Sequence, residues 1–351
     1  MSDAFISRLG ERVREAAARK SALRIRGGGT KDFYGASVSG EPVEMAAYNG
    51  VVAYEPKELV LTVRAGTTLA EVERVLDAER QMLPFEPPHF GAGATIGGAV
   101  AAGLSGPRRP YAGSVRDFVL GARIVNGKGE DLAFGGRVIK NVAGYDVSRL
   151  MAGSLGTLGI LTEISFKVLP KPAEETTLVF EMDEGDAIRQ ANQWAGQPLP
   201  ISATSWQDGV LRVRLSGAAP AIAAARTRMG GQESRDAAHW HALREQQLPF
   251  FRADTLWRVS VPQTREPLDL GGARPVVEWG GGVRWIAGAQ DPLALRSTVE
   301  RAGGHATIFR GADKSAGAFH PLKPAILKIH KRLKAAFDPA GILNPGRMYD
   351  F

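Results

Sequence analysis

PPHFGAGATIGGAVAAGLSGPRRPYAGSVRD, Pro87 to Asp117, crowds more positions without a large side chain into one stretch than any other part of the chain. Glycine lets the backbone turn where other residues clash and lets main-chain N–H groups approach a bulky anion, so a ligand would meet backbone here. Ala94-Thr95-Ile96-Gly97-Gly98 passes into Ala99-Val100-Ala101-Ala102, which reads as a short, tightly packed helix with its N-terminus on the glycine turn, an end that favours negative charge. Gly91 to Gly97 comes near the dinucleotide fingerprint, but its spacing is G-x-G-x-x-x-G, and Pro84-Phe85-Glu86-Pro87-Pro88 precedes it in place of a β-branched strand. A Gly/Ala packing loop without a ligand is the remaining reading of this stretch alone.

Working outward, Arg24-Ile25-Arg26-Gly27-Gly28-Gly29-Thr30 is a short strand running into a triple-glycine turn, with a hydroxyl and Lys31 at its end. Gly153-Ser154-Leu155-Gly156-Thr157-Leu158-Gly159-Ile160 is a second small-residue loop feeding an alternating strand. With Tyr111-Ala112-Gly113-Ser114-Val115-Arg116-Asp117, these segments resemble the FAD-binding domain of the vanillyl-alcohol oxidase and p-cresol methylhydroxylase family, over about the first 170 residues. Phe337-Asp338-Pro339-Ala340-Gly341-Ile342-Leu343-Asn344-Pro345-Gly346-Arg347 resembles the terminus of its 2-hydroxyacid dehydrogenase branch, and Lys140-Asn141-Val142-Ala143-Gly144-Tyr145-Asp146 fits that branch.

The resemblance implies an α+β fold: a two-subdomain FAD-binding domain of p-cresol methylhydroxylase type over residues 1–172, an α+β cap domain with a mostly antiparallel sheet over 173–310, and a C-terminal helix and tail, 311–351, returning to the FAD domain. It implies that Arg26, Gly27, Gly28, Gly29 and Thr30, with Thr95, Ile96, Gly97 and Gly98, hold the pyrophosphate. Gly113, Ser114, Arg116 and Asp117 would line the cofactor's path, and Gly156, Thr157, Gly159 and Ile160 would offer main chain to the adenine end or the ring. On a strand, adjacent Arg116 and Asp117 would point to opposite sides. Some relatives anchor flavin covalently through a histidine at the end of the first glycine turn; that position is Thr30 here, so noncovalent FAD is expected.

Periodicity supplies the elements. Phe5, Ile6, Leu9, Val13 and Ala17 recur at helical spacing, and Thr68-Leu69-Ala70-Glu71 is a capping box opening a helix to about Arg80. Val119 to Val125 and Glu130 to Phe134 flank Asn126-Gly127-Lys128-Gly129, a hairpin turn. A helix is expected from about Tyr145 to Met151. Pro170-Lys171-Pro172 stops the strand from Leu158 and marks a boundary, after which β-α-β patterns repeat in two related halves up to Arg310. Pro324 to Phe337 reads as a helix with Ile326, Ile329, Leu333 and Phe337 on one face.

The 351 residues, 44% hydrophobic and 23% charged, suit two cores. No run of about 18 apolar residues could span a bilayer, and the opening residues do not read as an export signal, so a cytoplasmic location is expected, with the inner membrane reached through partners. With no cysteine there is no disulfide, cysteinyl flavin link or thiolate-bound cluster on this chain. The net charge of +7 is dispersed, without a basic recognition element, which argues against nucleic acid and for anionic ligands or an acidic partner.

Oxidation of a 2-hydroxy acid such as glycolate, which the resemblance implies, needs a cation for the carboxylate, a base near the hydroxyl and the flavin as hydride acceptor. The His-x-x-Asp-Gly-Asn motif of catalytic relatives is missing among the six histidines. His239-Trp240-His241 reads as a helix segment rather than a metal pair. The candidate catalytic group is His305, Arg310, Lys314 and His320, where the cap rejoins the FAD domain, with Tyr145 as runner-up. The implied partners are a second flavin subunit and an iron–sulfur subunit. Three roles stand open: oxidation on this chain, an electron-relay or structural subunit beside a catalytic sister, and a free-standing oxidase.

Overall fold

A computed structural model of the chain describes residues 2–136, 146–234, 236 and 238–350. The Lys140 to Tyr145 motif, with the candidate Tyr145, lies outside the described residues.

The first helix, Ser2–Arg19, buries Ile6, Leu9, Val13 and Ala16, one side chain per turn, against Leu23, Val43 and Ile342. Strand Leu23–Arg26 pairs in parallel with Glu41–Glu44. A five-stranded antiparallel sheet then forms in the order 51–55, 60–64, 160–167, 119–125 and 131–135. Thr68 caps helix Leu69–Ala78 by accepting from Glu71 N at 3.2 Å, and this helix, with Ile96–Ala102, packs Leu69, Val72, Leu76, Ile96 and Val100 onto the sheet. Thus the small residues at 96–102 serve a close helix-to-sheet contact: a Cβ on Gly97 would lie 2.7 Å from Ala65.

From Glu174 to Arg310 the strands pair antiparallel in one eight-stranded sheet ordered 232–233, 174–181, 210–217, 201–207, 276–278, 283–287, 256–260 and 305–310. The two halves read from the sequence meet where Ser205 pairs with Glu278 and Trp206 with Val277. Side chains alternate across this sheet. Trp257, Val259, Ile286, Ala306 and Ile308 face helix Pro292–Arg301, while Leu256, Val276, Val283, Trp285 and Phe309 face the first half of the molecule.

The tail returns across the glycine segments. Leu23 N donates to Ile342 O at 2.7 Å, Asn344 Oδ1 accepts from Ile25 N at 2.8 Å, and Asn344 Nδ2 donates to Leu155 O at 2.7 Å. Helix Pro324–Phe337 differs from its reading in one respect: Leu333 and Phe337 pack inward, but Ile326 and Ile329 stay about half exposed.

Candidate functional site

Four connected hollows run from the glycine segments to the eight-stranded sheet. Two small ones, about 80 Å³ each, lie between the 25–30 turn and the 95–101 helix and share Gly27, Thr95, Gly98 and Asn344. They meet a cavity of about 310 Å³ at Ala102 and Leu155, which in turn shares Arg116, Gly153 and Met348 with one of about 320 Å³ under helix 324–337. The result is one trough from the first strand to the cap.

Its narrow end is built from main chain. The N–H groups of Gly27, Gly28, Gly29, Thr30 and Lys31 make no hydrogen bond to another described residue. Consecutive unpaired amides form an anion nest. Gly28 is required by packing, since a Cβ there would sit 1.5 Å from Gly93 O, and Gly29 by its φ of +73°. Lys31, Arg26 and Arg347 add positive charge around the nest. Lys31 donates to His89 O at 3.2 Å, and burial lowers its pKa to about 8 against the upward pull of Glu245. Arg347 donates to the Lys31 and Asp32 carbonyls, which the sequence reading missed.

The opposite wall differs from its expected role. Ile96 N donates to Thr67 O at 2.9 Å, Gly97 N to Ala65 O at 2.8 Å and Gly98 N to Thr95 Oγ1 at 3.2 Å. The amides of Ile96, Gly97 and Gly98 are spent inside the protein, so this wall offers glycine backbone beside the Thr95 hydroxyl and not a run of free amides. Gly98 faces both small hollows, and a Cβ on it would touch only Thr95 Oγ1, at 3.1 Å. These positions fit a pyrophosphate-bearing ligand: amide donors and cations on one side, glycine backbone and the Thr95 hydroxyl on the other.

Of the remaining expected positions, Gly156 and Gly159 line a small hollow and Thr157 the 320 Å³ cavity, whereas Ile160 is a fully buried core residue. Ser114 and Arg116 line the 310 Å³ cavity, and Gly113 turns with φ +115° behind it. Residues 115–118 are a helical turn and not a strand; Asp117 faces back to accept from Ser114 N and Ser114 Oγ, both at 2.8 Å, as its capping box.

The 310 Å³ cavity gathers groups the sequence reading did not nominate. Arg109 and Arg258 both lie on the Trp279 ring, their guanidinium carbons 4.4 and 4.9 Å from its centroid. Neither has a carboxylate within 4 Å among the described residues, while Tyr34, Phe309 and Phe319 supply aromatic wall. Burial lowers the pKa of Arg258, with Tyr34 and Glu278 pulling it up; burial also lowers Arg109, helped by Arg258. Glu278 accepts from Trp285 Nε1 at 2.6 Å. Burial drives its pKa up to about 7, and the opposing effects of Trp285 and Arg258 do not cancel this. Alternation along the strands puts Arg258, Glu278 and Trp285 on one face. A charged residue in phase with Leu256 in Leu256-Trp257-Arg258-Val259 was the signal that could have found it.

The expected catalytic group falls elsewhere. Arg310 donates to Phe251 O; Lys314 donates to Phe33 O and, at 2.7 Å, to Gly35 O, with its pKa lowered by burial to about 8. His305 is exposed at a strand start, and His320 Nδ1 faces Ala306 N at 3.4 Å. None of the four lines the cavity. His239 is buried against Ser205 Oγ at 2.9 Å while His241 is exposed, so they do not converge. No group of three His, Asp or Glu among the described residues is placed to hold a metal ion.

Residues 6–135 match the family described as "FAD binding domain", and residues 311–348 that described as "FAD linked oxidases, C-terminal domain". The chain is 47% identical to "Glycolate oxidase subunit GlcE" of Escherichia coli strain K12 across 97% of this chain and 96% of that one. It is 34% identical to "Glycolate oxidase subunit GlcD" of Bacillus subtilis strain 168, over 40% of this chain and 30% of the relative. Among solved structures, p-cresol methylhydroxylase with substrate bound superposes with a TM-score of 0.73 at 16% identity, covering 98% of this chain and 87% of the other; that likeness bears on the fold alone.

Proposed function

The chain belongs to the glycolate oxidase subunit GlcE family, and from that premise we propose that it is an FAD-dependent oxidoreductase subunit that acts on the CH–OH group of glycolate within a multi-subunit assembly. The observation that carries this reading is the nest of five unpaired amides at Gly27 to Lys31, set across a bare wall at Gly98 in a trough leading to the cap. In this reading residues 1–172 bind FAD, 173–310 form the cap and 311–351 close over the trough.

The nest, with Lys31 and Arg347, holds the pyrophosphate. Gly98 and Thr95 give it room, and Gly156 to Gly159 receive the adenine end. Arg116 and Ser114 border the reacting end in the 310 Å³ cavity. FAD supplies the hydride acceptor that no side chain can provide. Thr30 offers no covalent anchor and the chain has no cysteine, so the cofactor is held noncovalently.

Reoxidation through a thiolate-bound cluster would take a partner, because a chain without cysteine carries none. We assign that task to an iron–sulfur subunit, with a second flavin subunit beside it. No helix among the described residues is long and apolar enough to cross a membrane, and we place the assembly in the cytoplasm or against the inner membrane through its partners. The absent His-x-x-Asp-Gly-Asn motif favours a second reading, in which a sister chain oxidises the substrate and this flavin relays electrons.

The test is the visible spectrum of the purified chain, before and after acid precipitation and on anaerobic addition of glycolate. Yellow colour released wholly into the supernatant, and bleaching by glycolate before precipitation, are expected. A colourless chain would remove the FAD assignment, and a stable yellow spectrum would leave the relay reading.

A further inference from the structure

Arg109 and Arg258 present an electrostatic problem that the FAD site does not explain. They come from a helical turn at Arg109–Ala112 and from the strand Leu256–Ser260, yet both guanidiniums lie on one indole; desolvation disfavours the charge of Arg258, and partial desolvation together with the charge of Arg258 disfavours that of Arg109. Arg258 is half-buried and Arg109 exposed, and a cation drawn partly out of water is ordinarily paired. These two have no carboxylate within 4 Å among the described residues, and both line the 310 Å³ cavity. An anion in the cavity would complete them.

Glu278 stands on the same wall. Its carboxyl is fixed by Trp285 Nε1 at 2.6 Å, and Arg258 lies near enough to act on it electrostatically but outside ion-pair distance. A buried carboxyl that titrates near neutrality is suited to receiving a proton. Tyr34, Phe309, Phe319 and Trp285 make the other walls. At about 310 Å³ the cavity is at the small end for ligand pockets and must also admit the flavin's reacting end, so only a few more heavy atoms fit.

We infer that this cavity binds a two- or three-carbon 2-hydroxy acid, whose carboxylate is taken by Arg258 and Arg109 and whose hydroxyl proton is taken by Glu278. This rests on the FAD reading above. In the oxidation the hydroxyl O–H bond breaks toward Glu278 while the C2 hydrogen departs with its electron pair to the flavin, leaving a 2-oxo acid. The chain then oxidises the substrate itself, with a carboxyl in the role of base.

The experiment uses the full-length chain, with and without FAD, and oxalate as an unreactive two-carbon dianion. Oxalate binding is measured by calorimetry in both forms, and by perturbation of the flavin spectrum when FAD is present. R109Q and R258Q should each weaken oxalate at least tenfold with FAD content unchanged. R258K, which keeps the charge, guards against a folding defect and should give an intermediate loss. E278Q should keep oxalate binding but reduce flavin with glycolate about a hundredfold more slowly, with kcat falling more than KM rises. It should also lose the rise in rate near pH 7, where Glu278 faces Arg258, Arg109, Tyr34 and Glu86. Oxalate binding indifferent to both arginines, or wild-type flavin reduction by E278Q, would overturn the inference. A chain that binds oxalate through the arginines yet never takes up FAD would instead count against the FAD reading.

Discussion

Lys334 and Asp338 form a buried pair, 2.7 Å apart, that ties the last helix to the tail. The carboxylate accepts from Ile342 N and Leu343 N, while the ammonium also reaches the carbonyls of Thr157 and Leu343. Lys334 therefore belongs to the fold and not to the cationic face of helix Pro324–Phe337. Asp338→Ala should cost about 3–5 kcal/mol, since it leaves a buried ammonium short of its anion. A urea midpoint unchanged in that variant would show the pair to be dispensable.

Removing Lys334 from the helix face leaves Lys323, Lys328, Lys331 and Arg332, all exposed, beside the exposed Ile326 and Ile329. An acidic partner surface would complement them. Lys328→Glu with Lys331→Glu should weaken association with a partner subunit, more at low salt than at high, while bound FAD stays constant. Association indifferent to both reversals would move the interface elsewhere.

Gly98→Asp projects a carboxylate into both narrow hollows and should abolish FAD retention. The control must be chosen from the structure. Gly127, in a turn that reads as free surface, would place its Cβ 2.4 Å from Asp338 Oδ1, so its substitution disturbs the tail. Gly196 has ordinary φ, and nothing lies closer than 3.7 Å to a Cβ there. Gly196→Asp should hold FAD as the parent does. Equal flavin content in the two variants would take Gly98 out of the cofactor site.

The glycine turns, hairpins and helices with regular apolar spacing were legible because each is decided by neighbours in sequence. What each amide does was not. Thr95 to Gly98 and Gly27 to Lys31 look alike as sequence, but Ala65 O and Thr67 O consume donors of the first, and only the fold brings those carbonyls there. Glu278 was missed for a similar reason: strand Val276–Glu278 has three residues, and its carboxyl becomes notable only when Trp285 and Arg258 arrive from neighbouring strands. Arg310 and Lys314 read from the sequence as part of a candidate catalytic group, and in the fold main-chain carbonyls occupy them.

A buried ion network joins the central glycine stretch to the eight-stranded sheet. Arg214 pairs with Glu86 at 2.8 Å and Arg108 with Glu86 at 3.3 Å, while Arg108 also meets Glu175. Glu86 and Arg108 flank the central glycine stretch, and Arg214 and Glu175 lie on cap strands. Arg214→Ala should lower stability by about 3–5 kcal/mol, because it leaves the buried Glu86 with one partner fewer. Arg214→Met with Glu86→Gln should recover much of that loss, which a thermal melt of both variants would read.

Glu278 gives a stability test independent of turnover. Its pKa rises from 4.5 to about 7, so between those values the folded state holds a proton that the unfolded chain releases. The sign follows: its contribution is fully present below pH 4.5 and is lost as pH climbs through 7. A shift of about 2.5 units at about 1.4 kcal/mol each comes to about 3 kcal/mol. Glu278→Gln keeps an acceptor for Trp285 Nε1 but cannot titrate. Measured without FAD by urea unfolding from pH 4.5 to 8, the variant should gain about 3 kcal/mol relative to the parent, with the change centred between pH 5 and 7. Titrating groups with no interaction with Glu278 are common to both chains and cancel in the difference. Parallel curves would mean that Glu278 ionises as an exposed carboxyl does, and its part as proton acceptor would fall with that result.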